Sequence, residues 1–81
     1  MARVAGHRDE DGHLTRIGDA IRNRRKSLGM SQETLADIAG VDRAHMGKIE
    51  RGERNVTVLN LVRIAAALDD QLSNLLRASG L

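Results

Sequence analysis

The chain has 81 residues, which suffices for one small domain and excludes a second globular domain. It contains 13 Lys and Arg against 11 Asp and Glu, 41% hydrophobic residues, and no Phe, Trp, Tyr, Cys or Pro. The core must therefore be aliphatic, and disulfides and thiolate metal sites are excluded. Binding of single-stranded nucleic acid by base stacking is disfavoured, because the chain has no aromatic side chain.

Neither a membrane-spanning segment nor a secretory signal is recognisable in the sequence. No apolar run approaches the ~20 residues that a spanning helix needs, and the N-terminus lacks an apolar signal region. We therefore expect a cytoplasmic protein. A chain of this length buries only ~60% of its unfolded surface, so it gains stability from a partner subunit.

Residues 1–13 are rich in glycine, histidine and charge, and Val4 is their only large branched apolar residue. This composition is typical of a mobile N-terminal arm. Asp9, Glu10 and Asp11 give the arm a net negative charge, and we expect them to be solvated. That charge disfavours contact between the arm and an anionic partner.

Helical spacing begins at residue 14. The apolar residues that predict helix 1 are Leu14, Ile17, Ile21 and Leu28, and Gly29 is expected to end the helix. Arg25 interrupts this apolar stripe, so it points inward and needs an acidic partner. The cationic cluster around it comprises Arg22, Arg24, Arg25 and Lys26. A cationic helix end is expected from the helix dipole alone, and we favour this structural role over a nucleic-acid contact.

Two short helices follow. Ser31 supplies the N-cap of a second helix at about residues 32–39, which Gly40 stops. After a short bend, Asp42 caps a third helix at about residues 43–51. The residues expected to fill the wedge between these two helices are Leu35, Val41, Met46 and Ile49. Ala36 is small where the third helix crosses the second closely.

The remainder of the chain predicts two more helices. Thr57 caps a fourth helix, whose apolar face is formed by Val58, Leu61, Ile64, Ala65 and Leu68. A short fifth helix covers about residues 71–78. No alternating strand pattern occurs, so the predicted fold is all-α with five helices.

Residues 32–51 match the DNA-binding helix-turn-helix in the length of the two helices and in the glycine of the turn between them. In that arrangement the third helix is the recognition helix, and its outward face carries Arg43, Ala44, Gly47 and Lys48, flanked by His45 and Arg51. Arg43 is suited to guanine O6 and N7, and Ala44 to a thymine methyl group. Lys48, Arg51 and Arg54 are better suited to phosphates, which set register rather than sequence. Gly47 is unfavourable in a helix, which close approach of the backbone to the duplex would explain.

The chain resembles the Cro/CI-type helix-turn-helix family of phage and bacterial repressors over residues 14–76. The motifs that carry the resemblance are Met30-Ser31-Gln32-Glu33-Thr34-Leu35-Ala36, Gly40-Val41-Asp42 and Ile49-Glu50-Arg51-Gly52. The narrower stretch of Asp42-Arg43 with residues 49–55 is similar to the controller proteins of restriction–modification systems. This resemblance implies a lambda-repressor-like fold that binds DNA as a dimer.

The resemblance also implies roles for single residues. Gln32 would bond a phosphate or a base, and the residues meeting the major groove would be Arg43, Ala44, His45 and Gly47. Arg51, Arg54 and Asn55 would reach the backbone or base edges. Arg25 and Glu50 are assigned to each other as an inward salt bridge. The sequence departs from the family pattern at His45, Gly47 and Val56, so base preference there does not carry over.

Several aliphatic side chains exceed what one small core needs, namely Leu59, Val62, Leu76 and Leu81. An exposed aliphatic patch usually marks an interface. We therefore predict a two-fold homodimer built from the start of the fourth helix and the end of the chain. It would place two recognition helices ~34–36 Å apart on a near-palindromic site.

The predicted function is a sequence-specific regulator of transcription that binds double-stranded DNA, and within that class a restriction–modification controller. It would block RNA polymerase at one site or contact it at another. A phage-type repressor and an antitoxin-type autoregulator remain alternatives, as does a protein-interaction adaptor without DNA binding. No enzyme motif is present, and no cofactor is expected. His7, His13 and His45 lack the spacing of a metal site.

Overall fold

Five helices make up the computed structural model, which describes Asp9 and residues 11–81. They are α1 (His13–Ser27), α2 (Gln32–Ala39), α3 (Arg43–Glu50), α4 (Val58–Ala67) and α5 (Leu72–Ala78). The described residues contain no strand. The all-α, five-helix prediction is therefore confirmed. No helix in this part of the chain is long and apolar enough to cross a bilayer.

The predicted helix caps are present at the starts of α2, α3 and α4. The side chains of Ser31, Asp42 and Thr57 each accept the backbone N–H of the residue three positions later, at 3.0, 3.2 and 3.1 Å. Each cap satisfies an amide that the helix itself leaves without a partner. Local side-chain chemistry thus sets the start of each of these helices.

The core is aliphatic and lies where the helices converge. Packing joins α2 to α3 and α4, α1 to α3 and α5, and α4 to α5. The residues predicted for the wedge between α2 and α3 are buried, namely Leu35, Val41, Met46 and Ile49, and Ala36 is buried as well. On α4, Leu61, Ile64, Ala65 and Leu68 are buried.

Val58 departs from the predicted apolar face, because 70% of its surface is exposed. It is the first residue of α4, and the buried positions of this helix begin one turn later, at Leu61. Leu28 is also more exposed than predicted, because it is the C-cap of α1 and lies beyond the regular helical stripe. Both differences arise at helix ends, where the helical period no longer determines burial.

Arg24 joins the end of α4 to α1. Its Nε donates to the carbonyl oxygen of Leu68 at 3.2 Å, and its Nη2 donates to that of Asp69 at 3.4 Å. These carbonyls follow the last turn of α4, where a cation is favoured by the helix dipole. Arg24 therefore has a structural role, as predicted for the cationic cluster. The helix end that it stabilises is that of α4 rather than that of its own helix, α1.

Gly18 lies where α1 crosses the end of α3. A Cβ atom added there would lie 2.4 Å from the carbonyl oxygen of Glu50 and 2.6 Å from that of Ile49. Backbone atoms cannot move aside as a flexible side chain does. The close approach of these two helices therefore requires glycine at this position.

The N-terminal arm differs from the prediction at Asp9. Its carboxylate accepts the backbone N–H groups of Leu14 at 2.9 Å and Thr15 at 3.1 Å, both in the first turn of α1. Asp9 is therefore a capping residue rather than a merely solvated acid. The rest of the predicted arm up to residue 8, and Glu10, lie outside the described residues.

Replacing Asp9 by alanine should lower the Tm at neutral pH, because two amides at the start of α1 lose their acceptor. Hydrogen bonding from Leu14 is the main cause that lowers the pKa of Asp9 in the folded protein. The ionised carboxylate therefore stabilises the fold above the ordinary Asp pKa, and this stabilisation is lost as pH falls through the lower folded value. Thermal unfolding followed by circular dichroism should show the Tm difference shrinking as the pH falls below the ordinary Asp pKa.

Asp11→Ala is the matched control for this experiment, because it removes the same charge from an exposed neighbour. An equal loss of Tm in the two variants would contradict the capping role and would indicate a general effect of charge.

Candidate nucleic-acid interface

The helix α3 has an anchored side and an outward side. Met46 and Ile49 are buried against the core, whereas Arg43 and Ala44 are exposed. Between α2 and α3, Gly40 adopts a left-handed conformation with φ of 71°, which glycine reaches without steric cost. The turn therefore directs α3 so that its first residues face outward.

A buried ion pair fixes the far end of α3. Arg25 donates through Nε to Glu50 Oε2 at 2.8 Å and through Nη2 to Glu50 Oε1 at 3.0 Å. Its Nη1 also donates to the carbonyl oxygen of Met30 at 2.9 Å. The two side chains are 11% and 2% exposed, so this pair is largely removed from solvent. A single guanidinium thus holds α1, the segment before α2 and the end of α3 together.

Gln32 is part of the same network. Its Nε2 donates to Glu50 Oε1 at 3.0 Å, while its Oε1 lies 3.4 Å from where a Cβ atom of Gly47 would be. The amide is therefore held in one orientation by a buried acid. The sequence predicts Gln32 at the DNA surface, and no pattern in it indicates the hydrogen bond to Glu50.

The outward side of α3 forms an open cleft against the start of α2. The cleft is lined by Gln32, Arg43, Ala44, Gly47, Lys48 and Arg51. The structure therefore brings together six of the residues singled out from the sequence. Gly47 lies on this side of α3 but is buried, because the side chains of Arg51 and Gln32 cover it.

Arg51 is paired with an acid that the sequence analysis did not single out. Its Nε lies 2.9 Å from Glu53 Oε2 and its Nη2 lies 3.3 Å from Glu53 Oε1, with both side chains more than half exposed. Hydrogen bonding within this pair raises the pKa of Arg51 and lowers the pKa of Glu53. Both groups therefore remain ionised at neutral pH.

The pairing follows from the chain direction after α3. Gly52 separates the two residues, has φ of 72° and packs against Thr15 of α1. This left-handed turn brings the residue after it back beside the end of the helix. The order Arg-Gly-Glu at the end of a helix is thus the sequence pattern that indicates this pairing.

The other residues assigned to DNA lie around the same surface. His45 and Lys48 are half-buried on α3, and Arg54 and Asn55 are exposed in the segment that follows it. Arg43, Lys48, Arg51 and Arg54 place four cations on or next to one helix. Such a cluster of positive charge suits a polyanion.

Part of the apolar surface predicted for a dimer is exposed. Leu59, Val62 and Leu81 are 59%, 46% and 50% exposed, and Val58 extends the exposed surface of α4. Leu76 is half-buried and packs against the core, so it is surplus only in part.

A family model described as helix-turn-helix matches residues 21–69. This range runs from within α1 to just past the end of α4 and contains α2, the turn and α3. The chain belongs to this helix-turn-helix family. The resemblance to Cro/CI-type regulators is therefore confirmed at the level of the family.

Members of this family similar to the chain include restriction–modification controllers. The control protein C.SmaI of Serratia marcescens is 40% identical over 65 residues, which are 80% of this chain and 77% of that protein. The crystal structure of the restriction–modification controller protein C.AhdI from Aeromonas hydrophila superposes with a TM-score of 0.75 at 44% identity. That comparison covers 76% of this chain and 94% of C.AhdI.

A phage regulator of the family is also similar. The transcriptional repressor RstR of the cryptic phage CTXphi of Vibrio cholerae is 35% identical over 60 residues. The aligned part covers 74% of this chain and 54% of the repressor.

Proposed function

We propose that the chain is a sequence-specific regulator of transcription that binds double-stranded DNA as a homodimer. The observation that carries this proposal is the cationic outer side of α3, which the Arg25–Glu50 network holds in place from behind. Similarity to C.SmaI and C.AhdI favours a restriction–modification controller that regulates its own operon. Bound to a near-palindromic site, the dimer would block RNA polymerase or contact it.

The two ends of α3 are suited to different contacts with DNA. Arg43 is exposed at the N-terminal end of the helix, where side chains enter the major groove and a guanidinium bonds guanine at two points. Arg54 is exposed beyond the other end of the helix, where it would meet the phosphate backbone of a duplex docked on α3. Base reading is thus assigned to Arg43, and phosphate binding to Arg54.

Selection of bound duplexes from a random library tests the proposed function directly. The full chain should enrich a near-palindrome with half-sites about one helical turn apart, ~10 base pairs. Recovery of unrelated sequences would contradict sequence-specific binding. An enriched site without two-fold symmetry would contradict the homodimer but not the DNA binding.

Arg43→Ala and Arg54→Ala should weaken binding in different ways. Loss of Arg43 is expected to reduce discrimination at one base pair per half-site by ~1–3 kcal/mol. Loss of Arg54 should weaken all duplexes alike and reduce the salt slope by about one unit. Fluorescence anisotropy on the selected duplex and on a shuffled duplex, at several salt concentrations, measures both effects. Identical behaviour of the two variants would contradict the assigned roles.

Leu59→Asp should convert the dimer to monomer, because it places a charge in the predicted apolar interface. Ile38→Asp is the matched control, since Ile38 is an equally exposed aliphatic residue on α2, at 60% against 59%. Sedimentation equilibrium should show a monomer for the first variant and a dimer for the second. A dimer in both cases would show that the interface lies elsewhere.

A phage-type repressor is the second candidate, supported by the similarity to RstR. Its DNA-binding side would be the same, so the genes beside the selected site distinguish the two. Neighbouring methyltransferase and endonuclease genes would favour the controller, and neighbouring phage genes would favour the repressor.

A further inference from the structure

The Arg51–Glu53 pair has a geometry that restricts what Arg51 can bind. The carboxylate of Glu53 receives two hydrogen bonds from one edge of the guanidinium, at Nε and Nη2. An arginine held at two points is fixed in orientation, in contrast to one that pairs through a single nitrogen. The planar head of Arg51 is therefore aimed by Glu53.

The direction of that head is set by Gly47. A Cβ atom at Gly47 would lie 3.2 Å from Arg51 Nη1 and 4.0 Å from its Cζ. The guanidinium thus extends back along α3, over the position one turn earlier, in the direction that long helical side chains favour. It occupies space that is available only because residue 47 has no side chain.

The remaining donors suit a base better than a phosphate. A guanidinium has five N–H groups, and the fork to Glu53 uses two of them without involving Nη1. Nη1 and the second N–H of Nη2 form an edge that matches O6 and N7 of guanine. A phosphate at the same place would lie close to the Glu53 carboxylate, and the two anions would repel each other.

We propose that Arg51, aimed by Glu53 across Gly47, is a second base-reading residue that recognises guanine in the major groove. Side-chain type alone assigned Arg51 to a phosphate, and the resemblance left the backbone and base edges open; this proposal selects a base edge. Glu53 is a positioning residue that does not itself contact DNA, and Gly47 provides the space. The proposal rests on the proposed function, because it assigns specificity within the same DNA-binding surface.

The test uses the duplex that the full wild-type chain selects from the random library, together with every single-base-pair change in its half-sites. Glu53→Gln removes the charge that holds the fork, and Arg51→Lys keeps the positive charge but cannot bond at two points. Both variants should lose preference at the same G·C pair by roughly fivefold to a hundredfold. That pair should differ from the one affected by Arg43→Ala. Binding to a shuffled duplex should stay within about twofold for Arg51→Lys, because the phosphate attraction depends on charge.

Asp19→Asn is the control for charge, because it makes the same change of charge on an exposed residue of α1. It should leave preference unchanged at every position. Arg51 and Glu53 are exposed, so their variants are expected to fold, which circular dichroism verifies.

Gly47→Ala tests whether Arg51 needs the space that glycine leaves at position 47. The expected loss of base preference cannot be mistaken for a loss of stability. Alanine favours a helix, so the Tm should rise. Its Cβ would displace the Arg51 head, so preference at the same G·C pair should fall. Loss of specificity in a more stable protein cannot result from unfolding.

Three outcomes would overturn the proposal. If Glu53→Gln kept its preference for the G·C pair, Glu53 would not orient Arg51. If Glu53→Gln bound all duplexes more tightly by the same factor, Glu53 would only compete with phosphate for Arg51. If Arg51→Lys kept full preference for the G·C pair, residue 51 would contact DNA through its charge alone. In each of these cases the wild-type chain still selects a sequence, so the proposed function stands. If the wild-type chain selects none, both proposals fail.

Discussion

Replacing Gly18 by alanine is expected to lower the free energy of unfolding by about 3 kcal/mol, in the upper part of the range for over-packed sites. The new Cβ would lie 2.4 Å from the Glu50 carbonyl oxygen, so α1 and α3 must separate. Neither contact can be relieved by rotating a side chain. For a domain of this size the loss corresponds to a fall in Tm of about 12–24 °C, measured by thermal unfolding.

Gly47→Ala is the matched control, because it makes the same substitution inside a helix. Its nearest neighbour is the end of the Arg51 side chain, which an added Cβ can displace, rather than backbone. Relief of glycine's low helix propensity should stabilise this variant by up to ~1 kcal/mol. If Gly18→Ala were as stable as the wild type, α1 and α3 would not approach as closely as described.

Replacing Arg25 by methionine should cost about 3–5 kcal/mol, because it leaves a buried carboxylate without its cation. Glu50 is 4% exposed, and Gln32 would be its sole remaining side-chain donor among the described residues. The carbonyl oxygen of Met30 loses a donor as well. Urea denaturation followed by circular dichroism measures the loss. Because Glu50 ends α3, DNA binding should fall in parallel.

Two further variants separate the buried pair from general effects of charge. Arg22→Met removes an exposed cation from the same helix and should change stability by no more than about 0.5 kcal/mol. The double variant Arg25→Met with Glu50→Met leaves no buried charge and should recover most of the lost stability. A double variant as unstable as the sum of its single changes would contradict direct coupling of the pair.

The fold was predictable because its signals are local. Ser31, Asp42 and Thr57 each bond an amide three residues away, so the sequence around them determines where each helix starts. The inward position of Arg25 was visible in the helical period, and its need for an acid pointed to a partner. Val58 was mispredicted because the helical period does not show where a neighbouring helix stops covering the first turn.

The details of the candidate site were less predictable because they depend on how separate elements meet. Gln32 bonds an acid 18 positions later, and Gly18 contacts carbonyl groups of another helix. No pattern within either segment contains that information. Glu53 was missed for a different reason, since the left-handed turn at Gly52 reverses the chain locally. The assignments of single residues to bases and phosphates remain predictions.

The separation of α3 into an anchored side and an outward side has an evolutionary consequence. Met46, Ile49 and Glu50 attach the helix to the rest of the domain, while Arg43 and Ala44 project away from it. Substitutions at exposed positions of this kind usually alter stability by no more than about 0.5 kcal/mol. If these residues read bases as proposed, single substitutions there would redirect the chain to a new operator and leave the scaffold intact.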